Sequence, residues 1–167
     1  MDAIRAVLTS CLAQNTAGVE PDMSLTAYAI QLPDEMTLSQ DMSVIDPTAL
    51  HTAREHVKGA LGTALYDEFR TLYDSTAPAR SYTFNPAEVG RRRLRNTCLD
   101  YLMAADNSLG QSQTSVRRIA SQFSSADCMS DKLAALACIA SAPADCPERA
   151  QFLGTYYDFS DLQRMRE

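Results

Sequence analysis

Apolar positions in this 167-residue chain recur mainly at three- and four-residue spacing, the period of a helix lying against a core. The longest such run starts at Asp46-Pro47 and reaches Tyr73, with Leu50, Ala53, Val57, Ala60, Leu61, Ala64, Leu65, Phe69 and Leu72 forming one stripe. Arg54, Glu55, Lys58, Asp67, Glu68 and Arg70 fall on the opposite side, as a solvated face requires. The spacing predicts a single unbroken helix over 47–73.

Seven more helices follow from the same reading, at 3–15, 21–31, 34–40, 86–105, 113–123 and 130–142, and from 147 through Phe152, Leu153 and Tyr156. The first stops at Gly18 and the second before Pro33. Proline marks the starts: Pro47, Pro86 and Pro147 occupy first helical positions, where the missing N–H costs nothing. Asp46 and Asn85 are good N-caps before two of them, and Asp145 lies one residue further out from the third. Residues 74–85 read as a connector, because the Tyr82-Thr83-Phe84 alternation is too short for a strand. The run Leu133, Ala134, Leu136, Ala137, Ile139 and Ala140 is apolar nearly all round, which predicts a central, covered helix. The chain is therefore expected to be one all-α domain. It packs its helices in antiparallel pairs, either as a bundle or as a stacked superhelix.

Composition agrees, with 46% hydrophobic and 22% charged residues, abundant Ala and Leu and only 6 Gly. A net charge of -6 argues against a general nucleic-acid partner, whose footprint is basic. No apolar run approaches the roughly 20 residues of a membrane span, and Met1-Asp2-Ala3-Ile4-Arg5 does not begin a signal peptide. Cys11, Cys98, Cys128, Cys138 and Cys146 are odd in number and widely spread, which favours reduced thiols and a cytoplasmic setting.

Candidate chemistry is sparse. His51 and His56 are five residues apart, about 140° around a helix, so they diverge where a metal pair needs i,i+4. Asp34-Glu35 and Asp67-Glu68 are adjacent in sequence and point apart, whereas acid–base pairs must converge. The basic run Arg91-Arg92-Arg93-Leu94-Arg95 fans around more than one helix face, with Glu88 placed to pair with Arg92. Intramolecular ion pairs account for it more simply than a phosphate or an acidic partner. No phosphate loop, nucleophile elbow or dinucleotide glycine run occurs. No catalytic, cofactor-binding or metal-binding residue is therefore expected.

Several strings carry a resemblance to a known family. Asp34-Glu35-Met36, Val44-Ile45-Asp46-Pro47, Ala53-Arg54-Glu55 and Leu65-Tyr66-Asp67-Glu68-Phe69-Arg70-Thr71-Leu72-Tyr73 come first. Arg93-Leu94-Arg95-Asn96-Thr97-Cys98-Leu99 follows, then Gln122-Phe123 with Ala126-Asp127-Cys128-Met129-Ser130-Asp131, and then Leu133-Ala134-Ala135-Leu136. In this order, from about Asp22 to about Asp158, they resemble the C-terminal helical region of the zinc-dependent aminopeptidase N family.

The resemblance implies a superhelix of stacked helix pairs, like HEAT or armadillo repeats, within a larger C-terminal domain. It implies a zinc metalloprotease parent that removes N-terminal residues from peptides, with the catalytic domain as this segment's partner. The family's His-Glu-x-x-His zinc helix, its Gly-Ala-Met-Glu-Asn strand and its oxyanion-stabilising Tyr have no counterpart here, so no catalytic residue carries over. The implied role is to wall the catalytic chamber and restrict access. The alternatives are a free-standing α-solenoid that binds a protein or peptide, and a subunit completing an aminopeptidase in trans. An exposed apolar face at an open end of the superhelix would also favour self-association.

Overall fold

A computed structural model describes residues 1–156 other than 79, 80, 143 and 145, with 155 and 156 described by backbone alone. Every regular element among the described residues is helical: α1 (Asp2–Thr16), α2 (Met23–Ile30), α3 (Glu35–Ser39), α4 (Pro47–Ala64), α5 (Tyr66–Ser75), α6 (Pro86–Ser108), α7 (Ser112–Ser125), α8 (Met129–Ala140) and α9 (Pro147–Tyr156). The side chain of Tyr156 and the position of Asp145 lie outside the described residues.

The predicted start signals form as drawn. The Asp46 carboxylate accepts from the Ala49 N–H at 3.0 Å, and the Asn85 side chain accepts from the Glu88 N–H at 2.9 Å. Asp22 and Asp34 cap α2 and α3 in the same way. Gly18 ends α1 at φ +73°, a left-handed conformation that favours glycine.

The helix expected over 47–73 is broken at Leu65, whose φ of −124° and ψ of 28° leave the helical region. No proline or inserted polar group sits at the break. Its cause is packing: both halves lie against α6, and α5 also reaches α1. Leu65 is fully buried at the joint. The acids Asp67 and Glu68 in the first turn of α5 favour a new helix N-terminus at this point.

The buried side of α4 differs from the expected stripe. Ala53, Val57 and Ala60 are exposed, while Lys58, Gly59, Leu61 and Gly62 are buried. The two glycines explain this, since they bring α4 onto α6 at close range. A Cβ at Gly62 would overlap the Tyr101 carbonyl oxygen and crowd Ala105 Cβ at 3.2 Å. One at Gly59 would meet the Ser108 hydroxyl. Small residues thus set the contact face, and larger apolar side chains are turned outward.

The central helix is α6, not α8. It packs against α2, α4, α5, α7 and α8 and buries Leu94, Cys98, Leu99, Tyr101, Leu102, Met103 and Ala105, among others. The largely apolar α8 exposes Leu133, Ala137 and Ala140, of which the two alanines lose little when left in water. Phe69 stacks on Tyr101 with ring centroids 4.5 Å apart, locking α5 to α6, and the Tyr101 hydroxyl donates to the Ile30 carbonyl at 2.6 Å. From α6 onward each helix packs on its successor, α7 on α8 and α8 on α9, as in stacked-repeat architectures. The architecture is an all-α superhelix of helix pairs.

Gly62→Ala is expected to lower stability by about 1–3 kcal/mol, since the Tyr101 backbone must shift to admit the methyl group. Gly154→Ala, where a Cβ meets nothing within 4 Å, is expected to be neutral or to stabilise by up to about 1 kcal/mol. Thermal unfolding of the two variants checks the pair. A second expectation concerns α3, where the Thr37 N–H holds the Asp34 carboxyl below the usual carboxylate range. A depressed folded-state pKa means that this cap contributes fully at neutral pH and is lost as the pH falls through the lowered value. Amide exchange at Thr37 should therefore accelerate on acidification beyond its intrinsic pH dependence, and Asp34→Ala should remove that excess.

Candidate functional site

An open groove of about 710 Å³ runs along α6. Its floor is the α6 stripe Val89, Arg92, Arg93, Asn96, Thr97, Asp100 and Tyr101, whose three- and four-residue spacing marks a single helix face. One wall is α8, through Ser130, Ala134, Ala137, Cys138 and Ser141. The other is α4, through Arg54 and Lys58, with Gln31 and Leu32 beside it. Tyr82 and Phe84, in the connector before α6, form the lip.

Charge in this groove is mostly positive, although the chain as a whole is acidic. Lys58 is only 7% exposed and places its ammonium 2.7 Å from Asp100 and 3.5 Å from Glu55. Arg54 donates to the Pro33 carbonyl at 2.9 Å and pairs with Glu55 at 3.1 Å. Arg92 is 6% exposed and spends one donor on the Thr83 carbonyl at 3.3 Å; its nearest carboxylate, Glu88, is 3.8 Å away. Its guanidinium lies 4.9 Å from the Tyr82 ring. Arg93, which is exposed, lies 4.3 Å from the Tyr28 ring and has no carboxylate partner among the described residues. The strap carrying Tyr82 is fixed from the other side, where its backbone N–H donates to Asp127 at 2.6 Å.

The basic run divides as its spacing requires. Arg91 turns to Glu88 at 2.8 Å and to the Thr76 carbonyl, so Glu88 is held by Arg91 more closely than by the expected partner Arg92. Arg95 points inward, donates to the Tyr73 carbonyl and stacks 3.8 Å from that ring. Arg92 and Arg93 alone reach the groove.

Two polar networks brace α6, one of them through Asn96 of the floor itself. The Tyr73 hydroxyl donates to Gln122 at 3.0 Å; Gln122 donates to Asn96 at 2.8 Å, and Asn96 to Asp131 at 2.9 Å. This chain ties α5, α6, α7 and α8 together, and each buried amide is satisfied, which removes its burial penalty. Asp106, 1% exposed, accepts from the Ser115 hydroxyl, with Arg118 3.9 Å away. Both networks are structural: neither opens onto the groove with a free nucleophile.

The remaining sequence candidates stay apart. His51 lies 2.7 Å from Glu35, joining α4 to α3, while His56 borders a shallow depression beside Gly59. Asp67 pairs with Arg70 and Glu68 with Arg5, in different directions. Among the described residues no three His, Cys, Asp or Glu side chains converge, so the residues present do not fit a zinc site. The five cysteines are free, and burial raises the thiol pKa of Cys11, Cys98 and Cys138. Burial likewise pushes the Tyr101 hydroxyl up to about 12, so it stays a neutral hydrogen-bond donor. No helix is long and apolar enough to cross a membrane among the described residues. Sequence reasoning missed the groove because it placed Lys58 on a solvated face. The alternation of Arg92, Asn96 and Asp100 with Leu94, Cys98 and Leu102 was the available signal.

Fold and site together define a repeat-type helical scaffold with a lined groove and no assembled catalytic centre among the described residues. Over residues 1–163 the chain matches, and belongs to, the family described as a domain of unknown function (DUF3458_C) of ARM repeats. It is 30% identical over 145 residues to aminopeptidase N of Escherichia coli K12, covering 87% of this chain and 15% of that protein. The aminopeptidase N of Caulobacter vibrioides is 30% identical over 66% of the chain and 12% of its own length. In fold the chain is similar to aminopeptidase A of Legionella pneumophila, solved in complex with aspartic acid, with TM-score 0.67, 22% identity and coverage of 91% of this chain and 17% of that one. It thus spans about one seventh of the relatives it matches.

Replacing Asp100 by Asn is expected to destabilise the chain by about 1 kcal/mol. The Asp100 side chain is 42% exposed and Glu55 still holds the ammonium, so the loss falls well short of that for a fully buried pair. Lys58→Met with Asp100→Asn should recover much of it, and a denaturant-based double-mutant cycle measures the coupling.

Proposed function

We propose that this chain is a non-catalytic helical segment of a zinc metallo-aminopeptidase that removes N-terminal residues from peptides. The observation that carries the reading is the similarity to aminopeptidase N along 87% of the chain, which corresponds to only 15% of that enzyme. Zinc and the reacting groups then reside on another part of the same enzyme, and none of the residues described above is assigned to them. The segment's role is mechanical: it walls the chamber and limits which peptides enter. A rigid superhelix suits this task, because its core is stapled by Phe69 on Tyr101 and by the Gln122 network. Met36, Val44 and Ile45 are 54–80% exposed, and these apolar side chains are the ones the rest of the enzyme covers. A cytoplasmic location accords with its free thiols.

An antibody raised against the chain tests this in the source cells. The expected result is a polypeptide several times larger than 18.3 kDa that co-purifies with zinc and with hydrolysis of alanyl chromogenic substrates. The isolated chain should hydrolyse none. A native species of 18.3 kDa, or activity in the isolated chain, would overturn the proposal, the former in favour of a free-standing binding module.

A further inference from the structure

We propose that the α6 groove binds an extended peptide segment through the acidic side chains that the segment carries. The inference does not rest on the aminopeptidase reading, since the groove belongs to the chain itself. Charge complementarity supports it. Arg54, Lys58, Arg92 and Arg93 line the groove; Glu55 engages Arg54, and Asp100 with Glu55 engages Lys58, so Arg92 and Arg93 are the lining cations left without a close carboxylate among the described residues. Arg92 has one donor committed and a carboxylate no nearer than 3.8 Å, and Arg93 is committed only to an aromatic face. A guanidinium offers five N–H donors, so most of this capacity is unspent.

The placement of the two guanidiniums selects the kind of carboxylate. Arg92 is drawn to Tyr82 on the lip, and Arg93 to Tyr28 on α2. They are splayed towards different elements and do not converge on one point. One guanidinium suffices to grip a single terminal carboxylate, whereas carboxylates spaced along a segment engage both of the splayed cations. The size agrees, because about 710 Å³ holds a few residues rather than a folded domain. Leu32, Val89 and Ala134 supply apolar contact between the charges, and Phe84, 83% exposed on the lip, can cover an apolar side chain of the ligand. The segment therefore carries Asp or Glu interspersed with apolar residues.

Fluorescence anisotropy with the 167-residue chain at low salt tests the proposal. The probes are labelled ten-residue peptides, acetylated and amidated, with Glu alternating with Leu or Ala, and the same peptides with Gln for Glu. A third probe has the Gln sequence with a free C-terminal carboxylate. The acidic peptide is expected to bind at least about tenfold more tightly than the Gln peptide, with affinity falling as salt rises. Arg93→Glu should abolish that preference, and Arg117→Glu, on α7 away from the groove, should leave it intact. Arg93 is exposed, so the fold should survive; Thr97→Glu on the same stripe serves if it does not. Equal binding of the acidic and Gln peptides, or no binding of either, overturns the proposal. So does equal loss in Arg117→Glu, which would mean diffuse electrostatics. Tight binding of the third probe overturns the choice of side-chain over terminal carboxylates.

Discussion

The close approach of α4 to α6 governs the rest of this molecule. Gly59 and Gly62 allow the helices to meet where any side chain would collide with Ser108 or with the Tyr101 carbonyl. Contact at that range fixes the rotation of α4, so Lys58 is carried inward and must find a carboxylate, which Asp100 supplies at 2.7 Å. It also determines where the chain must turn. To keep Phe69 and Leu72 on α6 after so tight a crossing, the backbone departs from helical geometry at Leu65 and begins again as α5. A second close contact, at Gly90 against Ser24, seats α2 on the same helix. Two of the five helices packed on α6 are thus seated by missing side chains.

A helix surrounded on so many sides must either be apolar throughout or satisfy its polar groups internally, and α6 does the latter. Arg95 is closed by the Tyr73 carbonyl and ring, Asp106 by Ser115, and Asn96 by Gln122 and Asp131. Unpaired, each would carry a desolvation penalty of roughly 1–3 kcal/mol or more. Paired, they specify which neighbour lies on which face, a service that interchangeable alanines in α8 do not provide. The same logic leaves α6 one unclosed stripe, the floor of the groove. There Arg92 and Arg93 lie against aromatic rings, with no carboxylate nearer than 3.8 Å to Arg92, which is why positive character persists in a chain of net charge -6.

Local physics in the sequence was sufficient for the helical class, the N-caps at Asp46 and Asn85 with their following prolines, and the divergence of His51 from His56. Each depends on neighbours within one or two turns. The order of short strings was enough for the family. Misplaced instead were the unity of 47–73, the buried face of α4 and the identity of the central helix. All three errors come from weighting apolar size above close approach: Val57 is more hydrophobic than Gly59, yet Gly59 is buried because a crossing helix needs its absent side chain. The groove was hidden for the same reason, since it exists only once Lys58 is turned inward.

What the amino-acid order decided, then, is where helices begin and end and that their stripes need partners, because propensity, capping and periodicity act along a few residues of chain. Which stripe meets which is a matter of distances between residues tens of positions apart. Tyr101 reaching the Ile30 carbonyl and Lys58 reaching Asp100 are set by steric fit around α6. That fit also left Arg92 and Arg93 lining the groove, which no count of charges along the chain could assign.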